Sequence, residues 1–301
     1  MPQELRPLIR IAPNAPTFDL PVLVGLEQGF FNEARIEVRY SARYEDKDKT
    51  LTEREVLSRL KESLYECGSA DTFNLCEWGG IDRIERGSRG GRIAALRAAV
   101  TAQAILTFDE ALQEPGDLSG VAVGVNDYTG SHYTTLQMLE SVVGRNKIVT
   151  QHIGAPPVRM EILRKGSPVR AVTLMEPFIS LALKEGAHIL AMIFYRGAEV
   201  FSPNLTGEQC ERYLRAINRA VDHINSNFGR YAHHIVEAAK GGLAPEELSR
   251  DFIRYRHAQF YEPERFGRAY AWMQSWGLST GRSDQAAPVA RTGLPSIHGM
   301  G

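Results

Sequence analysis

The residues with the clearest chemistry lie in the segment DLSGVAVGVNDYTGSHYTTLQMLE, residues 117–140. The run VAVGV predicts a buried strand, and Leu136 and Leu139 have the spacing of one helix face. Between strand and helix stand Tyr128, Thr129, Gly130, Ser131 and His132. The unpaired N–H groups and the dipole of a helix start favour a carboxylate, sulfonate or phosphate. Because the same residue types also cap ordinary helices, an anion site and a plain cap are both open interpretations.

A carboxylate and an indole follow a second predicted strand, FNLC, at residues 73–76. The residues EWGG after it predict a turn that leads into a helix from Ile81. Because ligands of open α/β sheets bind at the carboxyl ends of the strands, we expect Glu77 and Trp78 to face a ligand. Three roles are open to the Glu77 carboxylate: binding a cation, transferring a proton, or capping the following helix.

Two further segments are predicted to border the same crevice. Asn14, Thr17 and Phe18 lie in a proline-containing loop after the first predicted strand. Glu176, which precedes a proline, ends the predicted strand VRAVTLM at residues 169–175. Three predicted strand ends thus carry polar residues directly before a helix, and we expect them to open on one crevice.

If the chain is an enzyme, Glu77 and His132 are its candidate catalytic residues. Glu77 would act as a general acid or base if Trp78 and closure of the crevice excluded water from it. His132, at a helix start, is expected to be neutral and able to exchange a proton. The three cysteines are an odd number without metal-ligand spacing, so neither a metal site nor a disulfide framework is predicted. No cofactor is predicted either.

The elements that must position these residues alternate along most of the chain. A strand at residues 8–12 precedes a helix that we expect Asp19 to cap. Two capping boxes are predicted for later helices, one formed by Thr52 and Glu55 and one by Thr206 and Gln209. Two separate apolar runs lie within residues 92–108. Further strands are predicted at 35–40, 147–149 and 187–194, and further helices at 156–163, 178–184, 206–228, 231–239, 245–255 and 263–276.

Composition narrows the functional classes. A chain of 301 residues predicts about two domains, and a net charge of −1 gives no overall field for nucleic acid. No apolar run is long enough to span a bilayer. The first residues lack the apolar core of a signal peptide, which predicts a cytoplasmic protein, although an export signal already removed would leave the same sequence. Gly, Ser, Pro and Ala dominate residues 279–301, which predicts a disordered tail.

Three segments resemble periplasmic binding proteins of the sulfonate, taurine and nitrate type. GLEQGFFNEARIEVRY (25–40) looks like the segment that opens those proteins, and residues 117–140 are similar to their inter-lobe strand and anion-facing helix. VTLMEPFISLALKEGAHIL (172–190) resembles their Glu-Pro strand end, helix and returning strand. The resemblance implies the two-lobe α/β fold of type II periplasmic binding proteins and their thiamine-precursor-synthase relatives. Lobe 1 would comprise residues 1–104 and 196–278, and lobe 2 residues 105–195.

The resemblance also implies a function. A small anionic or aromatic molecule would bind between the lobes, as in an ABC-transporter substrate-binding protein, which would serve a permease if the chain is exported. The residues expected around that cleft are Asn14, Thr17, Phe18, Glu77, Trp78, Tyr128, Thr129, Gly130, Ser131, His132 and Glu176.

The alternative is a cytoplasmic lyase on the same fold, which the missing signal segment favours. It would be a decarboxylase, a desulfinase or a thiamine-pyrimidine-precursor synthase that uses Glu77 and His132. The sequence departs from the synthases because it has no CCCFC-type motif. It departs from the desulfinases because the loop at residues 13–18 contains no cysteine. Cys76, Glu77 and Trp78 only loosely match the acidic motif of the decarboxylases.

Overall fold

The computed structural model of the chain describes residues 6–47, 60–166 and 168–282. The strands are β1 (Leu8–Ile11), β2 (Glu37–Tyr40), β3 (Thr72–Cys76), β4 (Arg92–Thr107), β5 (Ala122–Val125), β6 (Val149–His152), β7 (Ala171–Leu174), β8 (His188–Phe201), β9 (Ile253–Tyr255) and β10 (Gln259–Phe260). The α-helices are α1 (Pro16–Glu27), α2 (Phe30–Glu33), α3 (Leu60–Glu66), α4 (Glu77–Arg86), α5 (Gly130–Leu139), α6 (Pro156–Lys165), α7 (Phe178–Lys184), α8 (Gly207–Ser226), α9 (Phe228–Val236) and α10 (Pro263–Ser275).

Two long antiparallel strands, β4 and β8, run through the middle of one mixed sheet of order β2-β1-β3-β8-β4-β7-β5-β6, with β9 and β10 paired to β4. The end of β3 is paired with Gly197 of β8. The end of β7 is paired with Ala104 of β4, which is itself paired with Met192 of β8. Because β3 and β7 approach from opposite directions, their carboxyl ends converge on residues 192–197. Ligand-binding crevices form at such ends.

The buried hydrophobic residues form four clusters, which fall into two groups along the chain. Two clusters consist of residues from 9–99 and 198–273, apart from Tyr133 and Tyr195. The other two consist of buried residues from 102–190. The predicted lobes, 1–104 with 196–278 and 105–195, remain a proposal.

Helix α10 connects the two groups of cores. The indole N–H groups of Trp272 and Trp276 donate to the two carboxylate oxygens of Glu140 at 2.8 and 2.9 Å. Arg145 donates to the main-chain oxygen of Ser275 at 2.9 Å. These contacts tie α10 to the end of α5. Within the described ranges, no helix has both the length and the hydrophobicity that a membrane crossing needs.

Several predicted elements are confirmed, among them β5, α5, the α7 bounds and the α8 capping box formed by Thr206 and Gln209. Two helix starts were wrong. Asp19 is no cap, because α1 already begins at Pro16, a residue well suited to a first turn. Helix α4 begins at Glu77 rather than Ile81, because the Cys76 sulfur accepts the N–H of the third helical residue.

Other predictions fail where strand pairing overrides local pattern. The two runs at residues 92–108 form the single strand β4, and the strand expected at 147–149 begins only at Val149. The helix predicted at 245–255 is wrong: two short 3-10 turns, Pro245–Glu247 and Arg250–Phe252, precede β9. β9 pairs with β4 and so gives the backbone N–H and C=O groups of that part of β4 hydrogen-bond partners. The capping box at Thr52 and Glu55 lies outside the described residues, as does most of the predicted tail.

Candidate functional site

The first turn of α1 contacts the segment directly after β7. Thr17 and Phe18 belong to this turn and not to a loop as predicted, because α1 already begins at Pro16. The Thr17 hydroxyl donates to the main-chain oxygen of Glu176 at 2.8 Å, and the Tyr255 hydroxyl donates to the main-chain oxygen of Thr17 at 2.9 Å. The Glu176 carboxylate instead accepts from the hydroxyl and the N–H of Ser180 at 2.6 and 3.1 Å. Burial raises the pKa of Glu176 to about 7. The main chain of Glu176 thus contacts α1, whereas its carboxylate bonds to Ser180 of the helix that follows, α7.

Asn14 is part of a buried polar network. Its side-chain amide donates to the side-chain and main-chain oxygens of Asn74 at 2.6 and 3.0 Å, and Lys61 Nζ donates to Asn14 Oδ1 at 3.2 Å. Asp19 accepts from the Asn14 N–H and from the Asn74 amide. Burial raises the pKa of Asp19 to about 6, although both bonds oppose the rise. Because the network uses its polar atoms, Asn14 positions the loop.

The side chains at the start of α5 bind the turn before it. Thr129 Oγ1 donates to the main-chain oxygen of Asn126 at 2.6 Å, and Ser131 Oγ accepts the Asn126 N–H at 2.9 Å. His132 Nδ1 accepts the N–H of Tyr128, which has a φ of +55°, at 3.2 Å. Burial lowers the pKa of His132, so its ring is neutral at pH 7. The polar side chains at the start of α5 are thus used to hold the turn in place.

Gly130 brings α5 against the two long strands. A Cβ at Gly130 would lie 2.8 Å from Tyr195 Oη and 3.5 Å from Gln103 Nε2. Thr101 is paired with Tyr195 in the β4–β8 register. The Thr101 hydroxyl and the Gln103 side-chain oxygen are buried, and within the described residues neither has a hydrogen-bond partner. Unpaired buried polar groups are costly, so their concentration on one strand marks this region as a candidate binding surface.

Arg97 of β4 lies between two aromatic rings. Its Cζ is 3.7 Å from the ring centroid of Phe18 and 5.2 Å from that of Tyr195, which are cation–π distances. The residue is 1% exposed, its Nε donates to the Ala99 oxygen at 3.4 Å, and its Nη2 has no partner within the described chain. Burial raises the pKa of Glu199 to about 8 while Arg97 opposes the rise. Arg97 is therefore a buried cation held by rings and a carbonyl.

Glu77 forms an ion pair with α10. Arg265 donates to both carboxylate oxygens, from Nε at 2.7 Å and from Nη2 at 2.8 Å. The Tyr261 hydroxyl donates to Glu77 at 2.6 Å. The Glu77 side chain is 6% exposed and that of Arg265 is 35% exposed. Two-point pairing of this kind fixes the position of the guanidinium as well as its charge.

Trp78 is the centre of an aromatic group. Its ring centroid is 5.9 Å from that of Tyr133, 5.9 Å from that of Trp272 and 6.2 Å from that of Tyr195. The planes of Trp78 and Tyr195 differ by 28°, which is close to stacked. Because these rings come from α4, α5, β8 and α10, the group joins both halves of the sheet.

A cavity of about 430 Å³ opens beside Glu77 and Trp78, and we call it the arginine cavity. Its lining includes Tyr195 and Phe194 of β8, Gln137 of α5 and three arginines. Those arginines are Arg196, Arg256 and Arg265. The lining thus combines aromatic faces with guanidinium groups and comes from both halves of the sheet.

The charges around the arginine cavity are unbalanced. Arg196 donates to the Arg97 main-chain oxygen at 2.7 Å, to Gln259 Oε1 at 3.0 Å and to the His257 main-chain oxygen, which are all neutral acceptors. Burial, reinforced by the nearby arginines, lowers the pKa of Arg196 to about 10. For the Arg256 side chain, the described residues supply no hydrogen-bond acceptor. Among the lining residues only Glu77 is a carboxylate, and it is already paired.

The predicted site residues therefore fall into separate groups. Glu77 and Trp78 line the arginine cavity, and Phe18 and Gly130 contact residues next to it. The polar side chains of Asn14, Thr17, Thr129, Ser131 and Glu176 are bonded to protein groups, and Tyr128 and His132 bond to each other. The sequence reasoning missed the arginines. An arginine inside an apolar strand pattern, as in AALRAAV, was the available signal.

The described residues contain no group of three or more His, Cys, Asp or Glu that could hold a metal ion.

No protein-family model matches the chain, and no curated protein matches it. Its structure is similar to the alkanesulfonate-binding protein SsuA from Xanthomonas axonopodis pv. citri bound to MOPS, with a TM-score of 0.69, 14% identity, and coverage of 93% of this chain and 96% of that one.

Two further solved structures are similar. The periplasmic nitrate-binding protein NrtA from Synechocystis PCC 6803 has a TM-score of 0.66 and 11% identity, with 92% of this chain and 83% of that one covered. The desulfurization enzyme DSZB has a TM-score of 0.59 and 14% identity, with 94% and 97% covered. At these identities the likeness shows the fold and leaves the ligand to be established. The chain therefore has the α/β fold of the periplasmic binding proteins.

Proposed function

We propose that this protein binds a small organic anion with an aromatic or apolar body in the arginine cavity between its two halves. The observation that carries the proposal is the set of guanidinium groups around a single carboxylate. Arg196 has only neutral acceptors, Arg256 has no acceptor among the described residues, and Glu77 already balances Arg265. An anionic ligand supplies the missing negative charge.

The size and walls of the cavity fit such a ligand. Its volume of about 430 Å³ falls in the range of small-molecule sites. Trp78 and Tyr195 offer nearly parallel aromatic faces on which a flat or apolar group can pack. The names of two structural neighbours, an alkanesulfonate-binding and a nitrate-binding protein, support an anion as the ligand class.

A transport receptor needs only a ligand that prefers the closed form over the open one. Closure of the two halves would make bonds between them. The bond from Thr17 to the Glu176 main chain is of this kind, and so are the bonds from α10 to Glu140. An ABC permease as partner and a periplasmic location belong to this proposal for an exported form of the protein. A cytoplasmic location belongs to the lyase alternative.

The lyase alternative has support from DSZB, an enzyme with the same fold. The contacts of its two candidate residues favour binding instead. Both Glu77 oxygens accept charged hydrogen bonds, so the carboxylate is engaged as an acceptor of Arg265. His132 uses Nδ1 to accept the Tyr128 N–H, so only its Nε2 remains for proton exchange.

The test combines titration calorimetry with analysis of the recovered compound. The panel contains benzenesulfonate, benzoate, a short alkanesulfonate, succinate and neutral benzamide. We expect one or more anions to bind stoichiometrically and to be recovered unchanged by mass spectrometry, with no binding of benzamide. A transformed compound would overturn the receptor proposal in favour of the lyase, and a panel in which no anion binds would overturn it altogether.

The variant Arg256→Gln should lower the affinity for the anion about tenfold, because a charged hydrogen bond is worth roughly 1.5 kcal/mol or more. Arg268→Gln is the matched control. Arg268 lies on the same helix as Arg265, its side chain is 73% exposed, and it is not among the lining residues. Equal affinities for both variants and the wild type would contradict the assignment of the arginine cavity.

A further inference from the structure

We infer that the ligand carries two negatively charged groups rather than one, an inference that rests on the proposed function. Arg196, Arg256 and Arg265 line one cavity, and Arg97 adjoins Arg196. Among the described residues, Glu77 is the carboxylate that pairs with any of these four guanidinium groups. The number of unpaired positive charges in this region, rather than the shape of the cavity, indicates whether the ligand is a monoanion or a dianion.

Arg196 sits at the centre of this group. It is bonded through Nε to the main chain of Arg97, and it lines the same cavity as Arg256 and Arg265. The ordinary pKa of arginine is far above 7, so a value of about 10 still leaves Arg196 charged. The region therefore holds four positive charges and one partnered carboxylate.

Arg97 lies behind one aromatic wall of the cavity. Its Cζ is 5.2 Å from the ring centroid of Tyr195, and Tyr195 is a lining residue. No carboxylate oxygen in the described chain lies within 4.0 Å of its guanidinium. Arg97 does influence the Glu199 carboxyl, but burial raises the pKa of that carboxyl to about 8, so Glu199 is mainly neutral at pH 7. Arg97 thus adds a positive charge that the protein does not balance.

Three guanidinium groups, those of Arg97, Arg196 and Arg256, consequently have no carboxylate partner among the described residues. Arg97 is buried and Arg196 is half-buried, whereas Arg256 is exposed to water. A buried or half-buried charge without a partner is unfavourable, and the cost is relieved by each opposite charge brought near it. A monoanion balances only one of the two charges withdrawn from water, those of Arg97 and Arg196, whereas a dianion balances both. Electrostatics therefore favours a ligand with two acidic groups, such as a dicarboxylate or a sulfonated carboxylate.

The test uses pairs of compounds that share a shape and differ by one charge. Terephthalate is compared with its monoamide, 4-carbamoylbenzoate, and succinate with succinamate, each by titration calorimetry at low salt. In whichever pair binds, we expect the dianion to bind at least tenfold more tightly, about 1.4 kcal/mol. Raising the salt concentration should reduce this ratio, because salt screens charges at a partly open site.

The variant Arg256→Gln should lower the ratio between dianion and monoamide severalfold, whereas Arg268→Gln should leave it unchanged. Equal affinities within a pair would overturn the inference while the proposed function stands. A ratio that persists unchanged in Arg256→Gln would overturn it as well. If no anion of either pair or of the wider panel binds, the proposed function itself fails.

Discussion

Replacing Glu77 by glutamine separates binding from catalysis. The substitution keeps the shape of the side chain and removes the one carboxylate that lines the arginine cavity. In the wild type that carboxylate accepts two hydrogen bonds from Arg265 and one from Tyr261. A lyase that uses Glu77 as its acid or base would lose turnover. A binding protein would lose stability and gain affinity for anions, and both changes can be estimated.

The loss of stability follows from the ion pair. Removing one partner of a fully buried pair costs about 3–5 kcal/mol. Arg265 is 35% exposed, so water screens part of its charge, and the glutamine oxygen still accepts one of its N–H groups. We therefore expect Glu77→Gln to lower the free energy of unfolding by about 2 kcal/mol.

The gain in affinity follows from Coulomb's law. The variant adds one net positive charge to the lining of the cavity. An anion at about 6 Å would gain roughly 0.7 kcal/mol even at the dielectric constant of water, about threefold in affinity. The gain should be larger for a dianion, because the added attraction scales with the charge of the ligand.

Urea denaturation measures the first effect and titration calorimetry the second. Glu264→Gln is the matched control, because Glu264 lies beside Arg265 on α10 and its side chain is 92% exposed. It should change neither quantity. Loss of anion binding in a folded Glu77→Gln protein would refute the reasoning, since it would mean that the carboxylate itself holds the ligand. Loss of turnover with binding preserved would establish the lyase.

Two further predictions concern stability. Glu140→Gln removes the charge that accepts both indole N–H groups of Trp272 and Trp276, so urea denaturation should show a loss of about 1 kcal/mol, and an unchanged midpoint would contradict this role. For Glu176, burial raises the folded pKa to about 7 from its ordinary value of 4.5, so the folded state binds its proton more tightly and its contribution to stability is lost as pH rises from about 4.5 to about 7. Relative to the wild type, Glu176→Gln should therefore be more stable at pH 8 than at pH 5, by at most about 3 kcal/mol. A difference that does not change with pH would contradict the shift.

Much of the fold follows from local sequence signals. Three local patterns predict β5, α8 and α7: the alternation in residues 121–125, the capping box at Thr206 and the helical pattern of residues 178–184. Each of these signals acts within a few residues. Prediction failed at residues 245–255, where proline and acidic residues indicate a helix start. The last three of those residues form β9 because the edge of β4 requires a hydrogen-bonding partner.

Local sequence signals also predicted only part of the candidate site. The sequence alone determined that Glu77 and Trp78 follow a strand end, and that the start of α5 is rich in glycine and hydroxyl groups. It did not show that Arg265 pairs with Glu77 across 188 positions. Only the tertiary structure brings Arg196 and Arg256 beside that pair, since they belong to β8 and the segment between β9 and β10. Local periodicity specifies elements, but the net charge of a cavity is a sum over residues that only long-range strand pairing and helix packing bring together.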